Sequence, residues 1–509
     1  MKPYQLLLAI GLATILLGCS LAPKYERPNF DMPASWRKID LGQAPINVDW
    51  WTRFNDPVLT SMITEALQKN QDLATSMANI RSSAAQAGVS SAALFPQVNA
   101  QGSAQGQLVS NRTANAAFDN PNMTQEFTAY QGTLNASWEL DFWGKIRNQY
   151  TALTDVLMNT VLSHEALRLS IASQTAQTYF SLLAADMQLE TARRTLKTRQ
   201  KALSIYTSRY EQGDITELDW QRARAAVETA RAQVHQSAQA VDQAEAGLAV
   251  LLGRSPRDII ERSMMRGKSI RHLPAPPVLP AGLPSELLLR RPDLRAAEFL
   301  IMANNANIGT ARAQFFPSIS LTGMLGTMSA AAYNLFSGPA GAWSYGIQGS
   351  VPILDWGRNW YNLKDAEAKK EASIATYRKA VQSAFQDIRN ALTRQRESEH
   401  VVKSMQSQVN SLRRAVEIAQ LQYDNGYTDY LTVLDAEREL FTAELSLATA
   451  LQNRLNAVVS VCQALGGGWR EKGEQPSFPI IDTKKLVEKE TTVLQTSPKK
   501  TQGARPAKK

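Results

Sequence analysis

The chain has 509 residues, of which 44% are hydrophobic and 20% charged, and it carries a formal net charge of +9. Its two cysteines exclude a disulfide framework or a cysteine-rich metal site, and a mean hydropathy of -0.28 excludes a polytopic helical membrane protein. Residues 470–509 hold ten basic against five acidic residues, so +5 of the charge lies in this tail. The remainder is nearly balanced and gives no argument for nucleic-acid binding.

The first nineteen residues have the pattern of a secretory leader. A short basic start precedes an apolar run over residues 6–17, which is too short to span a membrane as a helix. The Gly18-Cys19 step that follows resembles the bacterial lipobox, which implies a signal peptide over 1–18 and acylation, such as palmitate, at Cys19. In lipoproteins of this type the serine that follows, here Ser20, implies delivery to the outer membrane. A chance cysteine at the end of an ordinary signal peptide is the alternative.

Two segments with alternating side chains follow in the first half of the chain. In residues 98–108 and again in 133–140, apolar or small residues alternate with polar ones, mostly amides and hydroxyls. This period of two predicts strands over about 94–110 and 127–141. A polar face of this kind fits the wall of a water-filled barrel, although a soluble half-buried sheet gives the same pattern. The outer-membrane sorting signal favours the barrel.

A run without glycine or proline comes next, over residues 145–212. Because Ala, Gln, Arg, Leu and Glu dominate it, we predict one continuous helix of about 100 Å. Such a helix must pack beside similar helices, and a return helix is predicted over 216–252. A dimeric coiled-coil rod is the alternative, but the small residues of the return helix suit a flatter sheet of helices better than a sustained heptad.

The same succession recurs in the second half of the chain. Residues 358–425 form another run of 68 residues without Gly or Pro, as long as the first. Strands are predicted before it at about 315–328 and 343–354, and a return helix after it at 429–465. Four landmarks match in the same order: Gln71-Asp72-Leu73 with Pro292-Asp293-Leu294, Phe95-Pro96 with Phe316-Pro317, Trp143-Gly144 with Trp356-Gly357, and Tyr210-Glu211-Gln212-Gly213 with Tyr423-Asp424-Asn425-Gly426. The chain therefore uses one unit twice.

These signals divide the chain into six segments and predict its fold class. In order they are a signal peptide over 1–18, a lipidated N-terminal segment over 19–55, a first repeat over 56–255, a linker over 256–284, a second repeat over 285–469 and a basic, disordered tail over 470–509. Four strands cannot close, and an open edge in lipid leaves backbone groups unsatisfied. Since eight strands enclose only side chains, three copies and twelve strands are needed for a channel. The expected fold is mainly α with a trimeric transmembrane β-barrel portion.

Five further motifs stand at intervals along the chain. They are Ala22-Pro23-Lys24-Tyr25-Glu26-Arg27-Pro28, Trp50-Trp51, Phe54-Asn55-Asp56-Pro57, Leu289-Arg290-Arg291-Pro292-Asp293-Leu294-Arg295-Ala296-Ala297-Glu298 and Leu465-Gly466-Gly467-Gly468-Trp469. Together with the duplication they resemble the outer-membrane efflux protein family, the TolC-like and OprM-like exit ducts, and specifically its lipoprotein branch. The resemblance covers roughly residues 19–469. It implies a lipid-anchored homotrimer whose twelve-strand outer-membrane barrel continues into a periplasmic α-barrel.

The resemblance also implies partners and a function. The partners are a periplasmic membrane-fusion adaptor, an inner-membrane transporter, most often of the RND type, and outer-membrane lipid. The function is a passive outer-membrane channel of a tripartite efflux system that exports small toxic compounds, as in multidrug resistance. The alternatives are the duct of a type I protein secretion system and, in another class, a trimeric coiled-coil adhesin or structural protein.

No signal for catalysis accompanies these features. The sequence has no phosphate-binding Gly-x-x-x-x-Gly-Lys motif and no Gly-x-Ser-x-Gly elbow, and its four histidines lie far apart. We therefore expect no enzyme activity, cofactor, metal site or nucleic-acid partner.

The second Gly step is where a gate is expected, because an open tube would leak. Leu431 and Asp435 lie four residues apart on one helical face, and Arg438 follows three residues later. In a trimer Leu431 would form a hydrophobic ring, while the Asp435 carboxylates would need hydrogen bonds or cationic partners such as Arg438. An ordinary amphipathic helix start with a solvated Asp435 is the alternative.

The resemblance assigns roles to this region. In the family, positions matching the Leu-x-x-x-Asp-Ala-x-Arg run form the periplasmic gate, which here implies Leu431, Asp435, Arg438 and the preceding Tyr423. Some relatives have a second acid where this chain has Thr432, which puts a double-acid ring in doubt. The resemblance further implies that the helix tips at Gly213 and Gly426 contact the adaptor.

Overall fold

The structure is a computed structural model that describes residues 20–31, 49–108, 126–261, 263–274 and 290–467. The predicted signal peptide, Cys19, the tip of the first hairpin and the predicted tail lie outside these residues. Of the residues that the structure describes, 71% are helical, which confirms the mainly α class. None of the described helices combines the length and the apolar character that crossing a bilayer demands.

The first repeat has two helices before its strand hairpin and two after it. In chain order the elements are α1 (Pro57–Lys69), α2 (Gln71–Ala92), β1 (Gln97–Leu108), β2 (Glu126–Leu140), the long helix α3 (Lys145–Glu211) and the return helix α4 (Glu217–Leu251). A 3-10 turn at Trp50–Phe54 precedes α1.

The second repeat follows a short helix, α5 (Pro256–Glu261), and a 3-10 turn at Ile270–His272. Its elements are α6 (Pro292–Ala313), β3 (Ser318–Ser329), β4 (Gly341–Ser350), the long helix α7 (Arg358–Asp424) and the return helix α8 (Tyr430–Ala464). Both long helices contain 67 residues and both return helices contain 35. The two halves therefore correspond element by element from α2 and α6 onward.

The turns before the long helices, residues 141–145 and 355–358, share an Asp-aromatic-Gly-basic pattern and provide the N-terminal caps of these helices. The Asp141 carboxylate accepts hydrogen bonds from the backbone N–H groups of Ile146 at 3.0 Å and Arg147 at 2.8 Å. In the second repeat Asp355 accepts from the backbone of Gly357 at 2.9 Å and Asn359 at 3.0 Å. Each carboxylate thus satisfies backbone donors that have no partner within the helix.

Glycine ends each long helix. Gly213 and Gly426 have φ angles of 83° and 76°, in the left-handed region that other residues adopt with strain. The N–H of Gly213 donates to the carbonyl of Tyr210 at 3.0 Å, and that of Gly426 donates to Tyr423 at 3.0 Å. These bonds close the last helical turn and let the chain reverse into the return helix.

The four strands form one antiparallel sheet in the order β1-β2-β3-β4, so the two hairpins join through β2 and β3. One face is apolar: Leu134 lies opposite Leu325, which lies opposite Trp343, and the three side chains are 51%, 62% and 71% exposed. The other face carries amides and hydroxyls, such as Asn135 and Ser137. Strands β1 and β4 are the free edges.

Three strand boundaries differ from the sequence expectation. The first strand begins at Gln97 rather than near residue 94, because the N–H groups of Leu94 and Phe95 close the last turn of α2 at 3.1 Å each. The third strand begins at Ser318 rather than near residue 315, because the N–H groups of Phe315 and Phe316 close the last turn of α6 at 3.2 and 3.1 Å. The last strand ends at Ser350 rather than near residue 354, since β4 lies at an edge and pairs only with β3.

The main core lies partway along the helices, where the N-terminal segment packs against α3. Trp50, Phe54 and Tyr179 are fully buried there. The buried Asp56 accepts a hydrogen bond from Tyr179 Oη at 2.7 Å and caps α1 through the N–H of Val58 at 2.9 Å. Cys462 is a free thiol that is buried in the same core.

Candidate gate at the helix tips

The structure brings the two helix tips together around three tyrosines. The ring of Tyr206 on α3 lies 4.1 Å from that of Tyr430 on α8 and 6.1 Å from that of Tyr423 on α7, measured between centroids. Tyr430 and Tyr423 lie 5.8 Å apart. Burial, together with a hydrogen bond to Tyr423, raises the pKa of Tyr206 above its usual range. Tyr423 therefore belongs to an aromatic cluster that joins the two repeats.

Arg209 adds a polar contact to this cluster. Its Nη1 donates to Tyr423 Oη at 3.3 Å, and its guanidinium lies 5.9 Å from the centroid of the Tyr423 ring. The hydrogen bond and the cation–π contact both run from the first helical hairpin to the second. Sequence reasoning missed Tyr206 and Arg209, since nothing in the local pattern distinguishes them from other residues of a long helix.

The other three predicted gate residues, Leu431, Asp435 and Arg438, lie on the first three turns of α8. Leu431 is half-buried, and the carboxylate of Asp435 contacts Arg438 Nη2 at 3.1 Å. The side chains of Asp435 and Arg438 are 48% and 71% exposed, so this ion pair contributes little to stability within one chain. The spacing thus leaves Asp435 beside a cation, while its carboxylate stays accessible to solvent.

Thr432 takes part in the cap of α8. The Asp429 carboxylate accepts from the backbone N–H of Thr432 at 3.1 Å and from its hydroxyl at 2.8 Å. These hydrogen bonds hold the pKa of Asp429 below its usual range. The return helix of the first repeat has the same cap with the residues exchanged, Thr216 leading and Asp219 following. An aspartate just before a helical pattern is a common N-cap, and this signal could have indicated the cap from the sequence.

A row of polar contacts joins α3 to α8 above the tips. Gln188 Nε2 donates to Thr449 Oγ1 at 3.1 Å, and further toward the tips Arg194 Nη2 lies 2.5 Å from Glu444 Oε2. The other oxygen of Glu444 accepts from Arg413 Nη2 of α7 at 2.9 Å. The buried Glu444 carboxylate therefore bridges three helices, a role that sequence reasoning did not identify.

A buried arginine lies between this bridge and the tyrosines. Arg199 Nη1 donates to the carbonyl of Ala226 on α4 at 2.9 Å, and its guanidinium lies 5.4 Å from the centroid of the Phe441 ring on α8. Burial raises the pKa of the nearby Glu437, and the charge of Arg199 opposes that increase. Arg199 thus connects both return helices to α3.

Gly213 and Gly426 lie at the exposed turns that end the two long helices. Apart from the glycine and its two chain neighbours, no described residue has an atom within 4 Å of the position that a Cβ would take at either site. The turns are open to solvent in the single chain. Their predicted contact with an adaptor stays a prediction.

The N-terminal segment lies along α6 toward the sheet end of the helices. Arg27 forms a two-pronged ion pair with Glu298, with Nε–Oε1 and Nη2–Oε2 distances of 2.6 and 2.7 Å. At its other end Ser20 Oγ donates to Asn148 Oδ1 at 2.8 Å, in the first turn of α3. The segment therefore places residue 20 close to the junction between sheet and helices.

Comparisons with known proteins agree with this architecture. A family model described as outer membrane efflux protein matches residues 62–254 and 283–467. The cation efflux system protein CusC of Escherichia coli K12 is 34% identical over 473 residues, which cover 92% of this chain and 100% of CusC. The toluene efflux pump outer membrane protein TtgF of Pseudomonas putida is 33% identical over 485 residues, which cover 92% of this chain and 98% of TtgF.

A solved structure extends the likeness to three dimensions. The outer membrane channel CmeC of Campylobacter jejuni superposes with a TM-score of 0.83 at 26% identity, covering 93% of this chain and 98% of CmeC. The likeness therefore extends over nearly the whole chain.

Proposed function

Because this chain belongs to the outer membrane efflux protein family, we propose that three copies of it form the passive exit duct of a tripartite efflux pump. The chain is the outer-membrane component of such a pump, which also contains a periplasmic adaptor and an inner-membrane transporter. The proposal adds the trimer, the closed barrel, an RND-type transporter and the gate.

The observation that carries the trimer is the open, two-faced sheet. Its apolar face is exposed, its other face carries amides and hydroxyls, and its two edge strands have no further partner among the described residues. Lipid would cover the apolar face, but free backbone groups at an edge are costly there. Three copies give twelve strands and a lumen lined with polar, mostly uncharged side chains.

In the same assembly the long helices form the periplasmic tunnel and the tips form its gate. Leu431 of three chains provides a hydrophobic constriction, and the Asp435 carboxylates below it repel one another. The contact with Arg438 supports closure by partly neutralising each carboxylate. The Tyr423 cluster and Arg209 hold the second hairpin against the first, and the Gly213 and Gly426 turns contact the adaptor.

A lipid at Cys19 anchors the N-terminus in the outer membrane. The contact between Ser20 and Asn148 supports this. Ser20 directly follows Cys19 and lies beside the first turn of α3, where the helices meet the sheet. An acyl chain attached there is close to the lipid that would surround the barrel.

Small toxic compounds are the proposed cargo. The names of two relatives of nearly equal identity refer to cations in one case and toluene in the other. A wall of amides and hydroxyls supports such variety, because it offers hydrogen bonds without a strong preference for one charge.

Crosslinking in cells followed by pull-down tests the proposal. We expect a species containing three copies of this chain together with a periplasmic adaptor, and loss of the gene should increase susceptibility to toxic compounds. A monomer that persists in gentle detergent, with no larger species after crosslinking, would refute it.

A further inference from the structure

The two Trp-Gly turns that match between the repeats have different surroundings. Trp143 donates from indole Nε1 to the carbonyl of Pro317 at 2.8 Å, and its ring stacks on Phe316 with centroids 4.7 Å apart. Its counterpart Trp356 is 87% exposed, and Phe95, the counterpart of Phe316, is 66% exposed. Among the described residues neither has a ring partner. The contact of Trp143 with Phe316 and Pro317 is therefore formed within the chain, whereas the equivalent residues Trp356 and Phe95 are both exposed and do not contact each other.

Trp356 and Phe95 lie at opposite edges of the sheet. Phe95 and Pro96 lead into the edge strand β1, whereas Trp356 follows the other edge strand, β4. The contact that is made occurs where β2 of the first repeat pairs with β3 of the second. The pair β2–β3 is therefore a template for how β4 of one copy would meet β1 of another.

Strand register transfers faithfully between the repeats. Gln97 directly follows Pro96, Ser137 comes six residues before Trp143, and the two pair in the first hairpin. Their counterparts by the same count from Pro317 and Trp356 are Ser318 and Ser350, which pair in the second hairpin. The Pro and Trp landmarks thus identify equivalent residues in the two repeats without any shift. The register of the β2–β3 pair can therefore be used to predict how β4 of one copy pairs with β1 of another.

We propose that Trp356 of one copy stacks on Phe95 of the next copy and donates its indole N–H to the carbonyl of Pro96. Strand β4 then pairs antiparallel with β1 of that copy in the β2–β3 register. This deepens the proposed function and rests on its trimer. Leu140 opposite Ile319 becomes Ile353 opposite Val98, and Leu134 opposite Leu325 becomes Ile347 opposite Ala104.

Two features support this register independently of the counting. Ile347 lies on the apolar face of β4, in line with Trp343 and Leu325, and Ala104 lies on the same face of β1. A shift by one residue would place amides of β1 on the apolar face. Pairing would also extend β4 from Ser350 to Ile353, which is 94% exposed in the single chain.

Paired cysteines test the register in membranes. With Ala104→Cys and Ile347→Cys in the same chain, mild oxidation should give covalent dimers and trimers that reductant dissolves. The control is Ala100→Cys with Ile347→Cys, in which the first cysteine lies four residues, or roughly 13 Å, along the strand. We expect the control to crosslink no more than either single variant, since the native Cys462 is buried.

The outcomes separate the register from the trimer. If the control pair links better than the predicted pair, or if neither links while amine crosslinking still gives trimers, the register is wrong and the proposed function stands. If amine crosslinking gives no trimer, the proposed function itself fails.

The aromatic contact is tested by a double-variant cycle. Trp356→Ala and Phe95→Ala should each lower the temperature at which trimers dissociate in detergent, and the double variant should lower it no further than the more affected single variant. Trp356→Phe should lower it less, because the stack remains and only the hydrogen bond is lost. Fully additive shifts of the two single variants, or no shift in either, would overturn the contact.

Discussion

The carboxylate of Glu444 holds the helix that carries the predicted gate, and its removal tests that role. Glu444 is 5% exposed and bridges Arg194 of α3 and Arg413 of α7. Both arginine side chains are about half exposed, so water replaces part of each ion pair when the carboxylate is lost. We therefore expect Glu444→Gln to weaken local packing by about 2 kcal/mol, less than two fully buried charged pairs would give.

Amide hydrogen exchange measures this loss where it occurs. A local free energy lower by about 2 kcal/mol makes opening about 30-fold more frequent, since about 1.4 kcal/mol corresponds to a factor of ten. Peptides from the first half of α8 should exchange faster by that factor, and strand peptides should not change. Glu439→Gln, at an exposed position of the same helix, is the matched control. Equal exchange in the two variants would show that Glu444 does not hold α8.

Three other perturbations have defined outcomes. Leu431→Ser or Asp435→Ala should raise single-channel conductance in planar bilayers, because either substitution removes part of the proposed constriction. If both variants have the conductance of the unmodified protein, neither residue belongs to the gate. Cys19→Ala should abolish incorporation of radioactive palmitate, and continued labelling would disprove the lipobox. Burial raises the pKa of Asp155 to about 6 in the folded protein. Below the ordinary pKa of aspartate the carboxyl is neutral in both the folded and the unfolded chain. Between that value and pH 6 it ionises only in the unfolded chain, so the folded state loses stability as the pH rises. The stability of Asp155→Asn relative to the unmodified chain, measured by thermal unfolding, should therefore be about 2 kcal/mol greater at pH 7 than at pH 4. An equal stability difference at the two pH values would contradict this.

The elements themselves could be predicted from the sequence because glycine and proline mark their ends. The first long helix, predicted over 145–212, occupies Lys145–Glu211, and its return helix occupies Glu217–Leu251. A helix interior tolerates neither residue well, and residues 145–212 contain neither. Alternation likewise located all four strands, although edge pairing and helix ends decided where β1 begins and β4 stops.

The contacts around the tips could not be predicted in the same way. Arg194 and Glu444 are 250 residues apart, and neither stands out within its own helix. Which faces of α3 and α8 meet depends on how two hairpins pack, and periodicity within one helix carries no information about that. Tyr423 was identified through resemblance, whereas Tyr206, its neighbour in the cluster, had no motif to mark it.

The equal lengths of the paired helices constrain how such a chain can change. One residue inserted into α3 alone would displace everything beyond it by about 1.5 Å and rotate it by about 100°. Tyr206 would then turn away from Tyr430, and Arg194 or Arg199 would lose its partner on α8, depending on the site of insertion. The helices could become longer or shorter only through matched insertions or deletions in α3, α4, α7 and α8. Natural length variation should therefore be confined to the tips of the strand and helix hairpins, the linker and the two termini.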